Sequence, residues 1–298
     1  MSHFSYQVFA TVVSQKTFYQ AARLLRVTPS AVSHSINQLE QELGFPLFRR
    51  NRGGVELTHD GRQILPYVQE ILNIERTLQQ QADNIRGLNA GLVRIGAFSS
   101  VCINWLPEMM QRFKRSYPKV EVTVSQGDFN EIAQAARIGS IDIGFTAMPV
   151  MEKLQVYPLV NDPIYCVTSQ DFIPKHHSYI TNADIAGKKF ILQQIDYDRD
   201  TKKVLDHYQV AHHSLNFSID DQSIISMVES QLGMGILPEL ALQKLTGDIN
   251  VYPFETPYER HIALVGNKTQ MAAPATKEML LTIKEYLNER YGERCLWQ

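Results

Sequence analysis

The amino-acid sequence predicts an α/β protein in three parts. A winged helix-turn-helix, rich in helix, is expected over residues 1–58 and a long linker helix with a hinge over 59–90. A two-lobed α/β domain is expected over 91–298. Three observations carry this reading. Apolar residues recur at helical spacing in three short segments before Leu43, with only short turns between them. From His59 to Leu88 the apolar residues keep a four-three rhythm across a stretch with one glycine near its start, Gly61, one near its end, Gly87, and one proline, Pro66. After Gly91 strand-like and helix-like patterns alternate, as parallel βαβ units do.

Composition bounds the function. A chain of 298 residues, 44% hydrophobic and 20% charged, suits two or three globular domains. No run of eighteen apolar residues suggests a membrane span, and the start MSHFSYQVFA lacks the basic region and apolar core of a secretion signal. Cys102, Cys166 and Cys295 are odd in number and far apart, which fits a reducing compartment; a cytoplasmic protein is expected. The net charge of −2 conceals an asymmetry. Residues 1–62 hold Lys16, Arg23, Arg26, Arg49, Arg50, Arg52 and Arg62 against Glu40, Glu42, Glu56 and Asp60, a balance of +3 that leaves −5 for the rest. A basic end on an acidic chain directs attention to phosphate contact there.

Phe9, Val12 and Val13 mark a first helix that ends near Ser14 to Lys16. Thr17 is the expected N-cap of a second, whose buried side is Phe18, Ala21, Ala22 and Leu25. Val27-Thr28-Pro29 opens the third: Thr28 caps it, and Pro29 suits a first position where the missing N–H has no partner. Val32, Ile36, Leu39 and Leu43 form its apolar side, and Ser30, Ser33, His34, Asn37 and Gln41 the opposite one. Short or flat polar groups can donate to and accept from base edges, whereas a merely solvated face is usually rich in Lys and Glu. About three residues separate the second and third helices, the tight turn of a helix-turn-helix. Gly44 then stops the third helix. Leu47-Phe48 and Val55 to Leu57 flank Asn51-Arg52-Gly53-Gly54 as a hairpin, a wing with an arginine-rich rim. Thr28 and Pro29 would also serve a helix start without DNA, and wing arginines can be solvated charge.

The stretch AARLLRVTPSAVSHSINQLEQELGFPLFRRNRGGVELTHDG, Ala21 to Gly61, resembles the DNA-binding domain of LysR-type transcriptional regulators. The resemblance extends along the whole chain and implies a transcription regulator, not an enzyme. It places double-stranded DNA against Thr28, Pro29, Ser30, Ser33 and His34, then Asn37, with Arg50 and Arg52 on the wing. Two departures stand out. The family often carries Gln at the Pro29 position and Arg at the His34 position, so the operator preference of relatives does not transfer.

In the linker, Ile64, Val68, Ile71, Leu78, Ala82 and Ile85 form the expected stripe, with Leu65 and Leu72 beside it. Such a stripe must be covered, either by a second copy of the helix or by the chain's own globular part. The sequence supports self-association; the family resemblance implies a dimer through this helix and a tetramer of dimers. Pro66 is expected to bend its first part.

In the C-terminal domain, strands are expected at Leu92–Gly96, Val120–Val124 and Ile141–Thr146, and a helix holding Trp105, Met109, Met110 and Phe113. Further strands are expected at Ile164–Thr168, Lys189–Gln193 and Leu215–Ile219. The family resemblance implies a fold similar to type 2 periplasmic binding proteins, with lobe one over 91–161 plus 267–298 and lobe two over 162–266. The cleft would be lined by Phe98, Ser99, Ser100, Phe129, Thr146, Gln193, Gln194, Ile195 and Asp220, and would hold a small-molecule effector. The Ser99-Ser100 turn would accept a carboxylate if it is more than a helix cap.

No nucleophile elbow, P-loop or dinucleotide fingerprint occurs, so no catalytic residue and no cofactor is expected. His176-His177 and His212-His213 are adjacent pairs, which do not converge on one metal. Cys102 follows the serine turn, where a helix start could lower its pKa and make it redox-sensitive; a buried inert thiol is the alternative. A transport or storage protein built on the same two-lobed fold is the competing class, and it would need no recognition helix.

Overall fold

A computed structural model describes residues 2–51, 54–86, 90–192, 199–209, 215–216, 221–244 and 246–297. Caps fix the first three helices. Ser2, Thr17 and Thr28 each accept a backbone N–H three residues on, starting α1 (His3–Gln15), α2 (Phe18–Leu25) and α3 (Pro29–Leu43). Lys16, Arg26 and Gly44 end them in left-handed backbone. Val8, Phe9, Val12, Ala21, Ala22, Val32, Ile36, Leu39 and Leu47 form the shared core. β1 (Phe48–Asn51) and β2 (Gly54–Leu57) pair antiparallel as the wing. Gly54 has φ +138°, and a Cβ there would lie 2.4 Å from the Lys16 carbonyl oxygen, so only glycine lets the wing lie against the end of α1. Glu40 ties α3 to the wing by accepting the N–H groups of Leu47 and Phe48.

Thr58 caps α4 (His59–Ile85), which runs unbroken for 27 residues, about 40 Å, through Pro66. The expected stripe is out of phase in one respect. Val68 is buried in the N-terminal core together with Leu65, with Ile64 and Leu72 packed on that core. The stripe left outside is Tyr67, Ile71, Ile74, Leu78 and Ile85, a four-three-four spacing followed by a full heptad. Asn73 and Gln80, on a third side, are buried against the C-terminal domain.

That domain is built on a mixed sheet in the order β10 (Ile249–Pro253), β6 (Gln155–Ser169), β11 (Glu259–Gly266), β5 (Ile143–Ala147), β3 (Gly91–Ala97) and β4 (Val120–Gln126), with β9 (Gly235–Pro238) also on β6. β3 (Gly91–Ala97) pairs in parallel with β4 (Val120–Gln126) and β5 (Ile143–Ala147). α5 (Ser99–Asn104), α6 (Leu106–Ser116), α7 (Phe129–Ile138) and α13 (Pro274–Tyr291) cover it. Trp105 stands between α5 and α6, not inside one helix, and is fully buried with its indole N–H donating to Tyr291 Oη at 3.0 Å.

β6 (Gln155–Ser169) is long enough to serve both lobes: its first half pairs with β11 (Glu259–Gly266), its second with β9 (Gly235–Pro238) and β10 (Ile249–Pro253). α10 (Asp221–Glu229) packs on the second half through Ile224, Ile225 and Val228. A short parallel pair, β7 (Ile191–Leu192) with β8 (Leu215–Asn216), lies alongside. The remaining short helices are α8 (Asn182–Ile185), α9 (Arg199–His207), α11 (Glu239–Leu242) and α12 (Lys268–Met271). The end of β11 packs beside β5: Ile262, Leu264 and Val265 share a core with Ile143 and Phe145. β6 and β11 run side by side here, with Arg260 opposite Asp162.

Candidate nucleic-acid interface and cleft

α3 offers the surface that its sequence promises. Burial of Val32, Ile36 and Leu39 turns Thr28, Pro29, Ser30, His34 and Asn37 outward to exposed positions, with Ser33 half-buried among them. Thr28 combines two roles, since its hydroxyl caps Ala31 N–H at 3.2 Å and lies 2.9 Å from Ser30 Oγ at the exposed helix start. Of the wing arginines, Arg50 takes its place in β1 opposite Val55. Arg52 lies outside the described residues, as do Gln193, Gln194, Ile195 and Asp220.

The described residues among those expected to line the cleft gather around two rings. Phe98 and Phe129 meet edge to face with centroids 4.9 Å apart. Thr146, at the end of β5, donates to the Phe129 carbonyl oxygen at 3.0 Å. Ser99 and Ser100 are both buried in the six-residue α5. Beside Phe129 and Thr146 opens a cavity of about 290 Å³ that continues along Asn130, Gln134 and the 147–152 loop.

One residue here was not legible from local pattern. Arg260, on β11, is buried with its guanidinium 4.7 Å from the Phe98 ring centroid. It donates to Ser100 Oγ at 3.1 Å and to Asp162 at 2.6 Å. Asp162 also accepts the Leu240 N–H at 2.9 Å, so the pair joins α5 of lobe one to α11 of lobe two. Burial pushes the Asp162 carboxyl above its usual value despite Arg260. Ser100 and Arg260 are 160 positions apart, a distance at which no periodicity signals a contact.

The remaining candidates resolve simply. Burial pushes the Cys102 thiol up to about 11, the reverse of the lowering that a reactive cysteine needs. His176 stacks on Tyr179, and His212-His213 lies outside the described residues. Among the described residues, no helix is long and apolar enough to cross a membrane.

A winged helix-turn-helix joined by one long helix to a two-lobed α/β domain defines a class: the DNA-binding regulator with a ligand-binding module on the same chain. Residues 5–62 match the model of the bacterial regulatory helix-turn-helix proteins of the lysR family, and residues 86–288 that of the LysR substrate binding domain. The chain belongs to the LysR family, whose members are DNA-binding transcription regulators. It is 29% identical over 285 residues to an uncharacterized HTH-type transcriptional regulator, YvbU, of Bacillus subtilis, covering 94% of each chain. It is also 29% identical over 282 residues to the probable regulator LrrA of Synechococcus elongatus, covering 94% of this chain and 95% of that one. Among solved structures, a full-length OxyR variant from Pseudomonas aeruginosa is similar with a TM-score of 0.74 and 21% identity, covering 97% of this chain and 95% of that one. Full-length CbnR, solved with its target DNA, is similar with a TM-score of 0.64 and 17% identity, covering 96% of this chain and all of that one.

Proposed function

We propose that the α3 face from Thr28 to Asn37 reads operator DNA in the major groove, with Arg50 and Arg52 on adjacent phosphates. The observation that carries this is the division of α3 into a buried aliphatic side and an exposed side of short polar groups. The similarity to a regulator solved on its target DNA supports it. The interlobe cleft, beside Phe98, Phe129 and Thr146, is the proposed seat of a small-molecule effector that modulates DNA binding. Arg260 is already matched by Asp162, which favours a neutral or weakly anionic effector over a strongly anionic one. Two copies pair along the exposed α4 stripe, and dimers join as a tetramer, so that two reading helices meet two half-sites. The regulator works in the cytoplasm on chromosomal DNA, and no cofactor or catalytic step enters the reading.

The test is a binding titration on the DNA upstream of the protein's own gene, by fluorescence anisotropy at several salt concentrations. Ser33→Ala with His34→Ala is expected to weaken specific binding about tenfold or more while leaving binding to unrelated DNA unchanged. Arg50→Ala with Arg52→Ala is expected to flatten the salt slope by about one to two. Equal loss on both DNAs for the α3 pair would remove that face from base reading.

A further inference from the structure

The third side of α4 meets lobe one through a seam made of charge and amide groups. At its centre stands Asp142, fully buried just before β5. Its Oδ1 accepts from Arg76 of α4 at 2.6 Å and from Arg94 of β3 at 2.8 Å; its Oδ2 accepts the Arg94 backbone N–H at 2.8 Å. Arg94 also donates to Asn73 Oδ1 of α4 and to the Gly139 carbonyl oxygen, and Asn73 donates to that same carbonyl at 2.9 Å. Gln80 adds one bond to the Leu92 carbonyl oxygen. Gly139 closes α7 with φ +83°, and a Cβ there would lie 2.6 Å from the Asn73 amide nitrogen, so the glycine is what admits α4 this closely.

The seam is incompletely satisfied. Arg76 Nε, Gln80 Oε1 and, on α12, Gln270 Oε1 are buried without a hydrogen-bond partner among the described residues. Each such atom lacks within the chain the hydrogen bond that water supplies when the surfaces part. Beside the seam, Ile138 of α7 packs on the same apolar core that Leu72 of α4 touches.

The seam is also wired to the cleft. α7 has Phe129 at its cleft end and Gly139 just past the other. β5 is preceded by Asp142 in the seam and carries Thr146 at the cleft, and the Thr146 hydroxyl holds the Phe129 carbonyl there. Two elements therefore share one end in each place, and their turn, residues 139–142, carries two of the three acceptors that hold α4, Gly139 and Asp142, the third being the Leu92 carbonyl oxygen.

We propose that the Asp142 seam is a releasable catch that holds α4 to lobe one, and that α7 and β5 set it from the cleft. Occupancy that shifts Phe129 against Thr146 moves Gly139 and Asp142 together, and the two-sided guanidinium clamp loses its geometry. The helix that carries the DNA-reading domain then leaves lobe one as a unit. The input side of this device rests on the reading of the cleft as the effector site; the catch itself does not.

Hydrogen exchange on the full-length chain, without any ligand, tests both parts. Arg76→Met leaves the Asp142–Arg94 pair intact and is expected to speed exchange over residues 73–85 about tenfold or more, with residues 59–68 unchanged. Asn73→Ala should act in the same place. Unchanged exchange in both variants, or acceleration spread over the whole chain, overturns the catch. Thr146→Val is expected to alter exchange of the same 73–85 segment by about threefold or more, although it touches no residue of the seam. Arg76→Met acting while Thr146→Val does not would overturn the wiring to the cleft. A metabolite screen that finds no ligand for the cleft would sink the effector reading and leave these exchange results standing, so the two failures are distinguishable.

Discussion

α4 is held at its two ends by opposite kinds of chemistry. In the N-terminal domain, Leu65 and Val68 are buried among aliphatic and aromatic side chains. On lobe one, Asn73, Arg76 and Gln80 meet Arg94, Asp142 and backbone carbonyl groups. Apolar burial is non-directional and tolerates small displacements, so the first contact makes helix and reading domain one body. A clamp of charged hydrogen bonds depends on distance and angle, and part of its polar surface is better off in water. The contrast supports the proposed release between α4 and lobe one over a bend between α4 and the helix-turn-helix.

The largest expected effect breaks the polar end. Asp142→Ala leaves the Arg94 and Arg76 cations facing each other without their anion, and removal of one member of a buried charge set costs about 3–5 kcal/mol. The loss should show in the thermal transition of the C-terminal domain, with that of the N-terminal domain in place. A smaller loss, under about 1 kcal/mol, would mean that the carboxylate does not organise the seam.

The next effect breaks the apolar end. Leu65→Ala removes buried methyl groups from the N-terminal core and should cost about 2–3 kcal/mol, because the cavity only partly collapses. Circular dichroism and DNA titration should report the N-terminal domain destabilised, while exchange over residues 73–85 stays as in the parent. If that segment loosens as well, the two ends of α4 are one cooperative unit and the contrast between them falls.

How far the sequence reaches follows the same division. α1 to α3, the wing and α4 were legible because their signals are local: Thr17, Thr28 and Thr58 precede helices, and Gly44 follows one. The apolar side of α3 was legible from spacing alone. The phase of the α4 stripe was not, because Val68 reads as a heptad residue until the N-terminal core is seen to need it. The lobe boundary expected after 266 has no local signal either: β11 has one continuous apolar pattern, and its pairing with β5 sets Ile262 to Val265 beside that strand. Asp142, Arg94 and Arg76 gave no signal because charged residues 18 to 66 positions apart have no periodicity to join them. Arg260 and Asp162 are a further case, 98 positions apart and adjacent only through strand register.

The smallest effect on folding is expected on the exposed side of α4. Leu78 is 69% exposed, between Ile74 and Ile85 on the outward stripe. Leu78→Lys changes a mostly exposed position, so the unfolding free energy should stay within about 0.5 kcal/mol of the parent. A lysine in an apolar helix pairing is desolvated against its own copy, so sedimentation velocity across a dilution series should show weaker self-association. Affinity for a two-half-site operator should fall with it, while affinity for one half-site is unchanged, because linkage of two readers acts through effective concentration. If association persists while the stability of the chain falls, the stripe packs within the chain, and α4 has two kinds of contact instead of three.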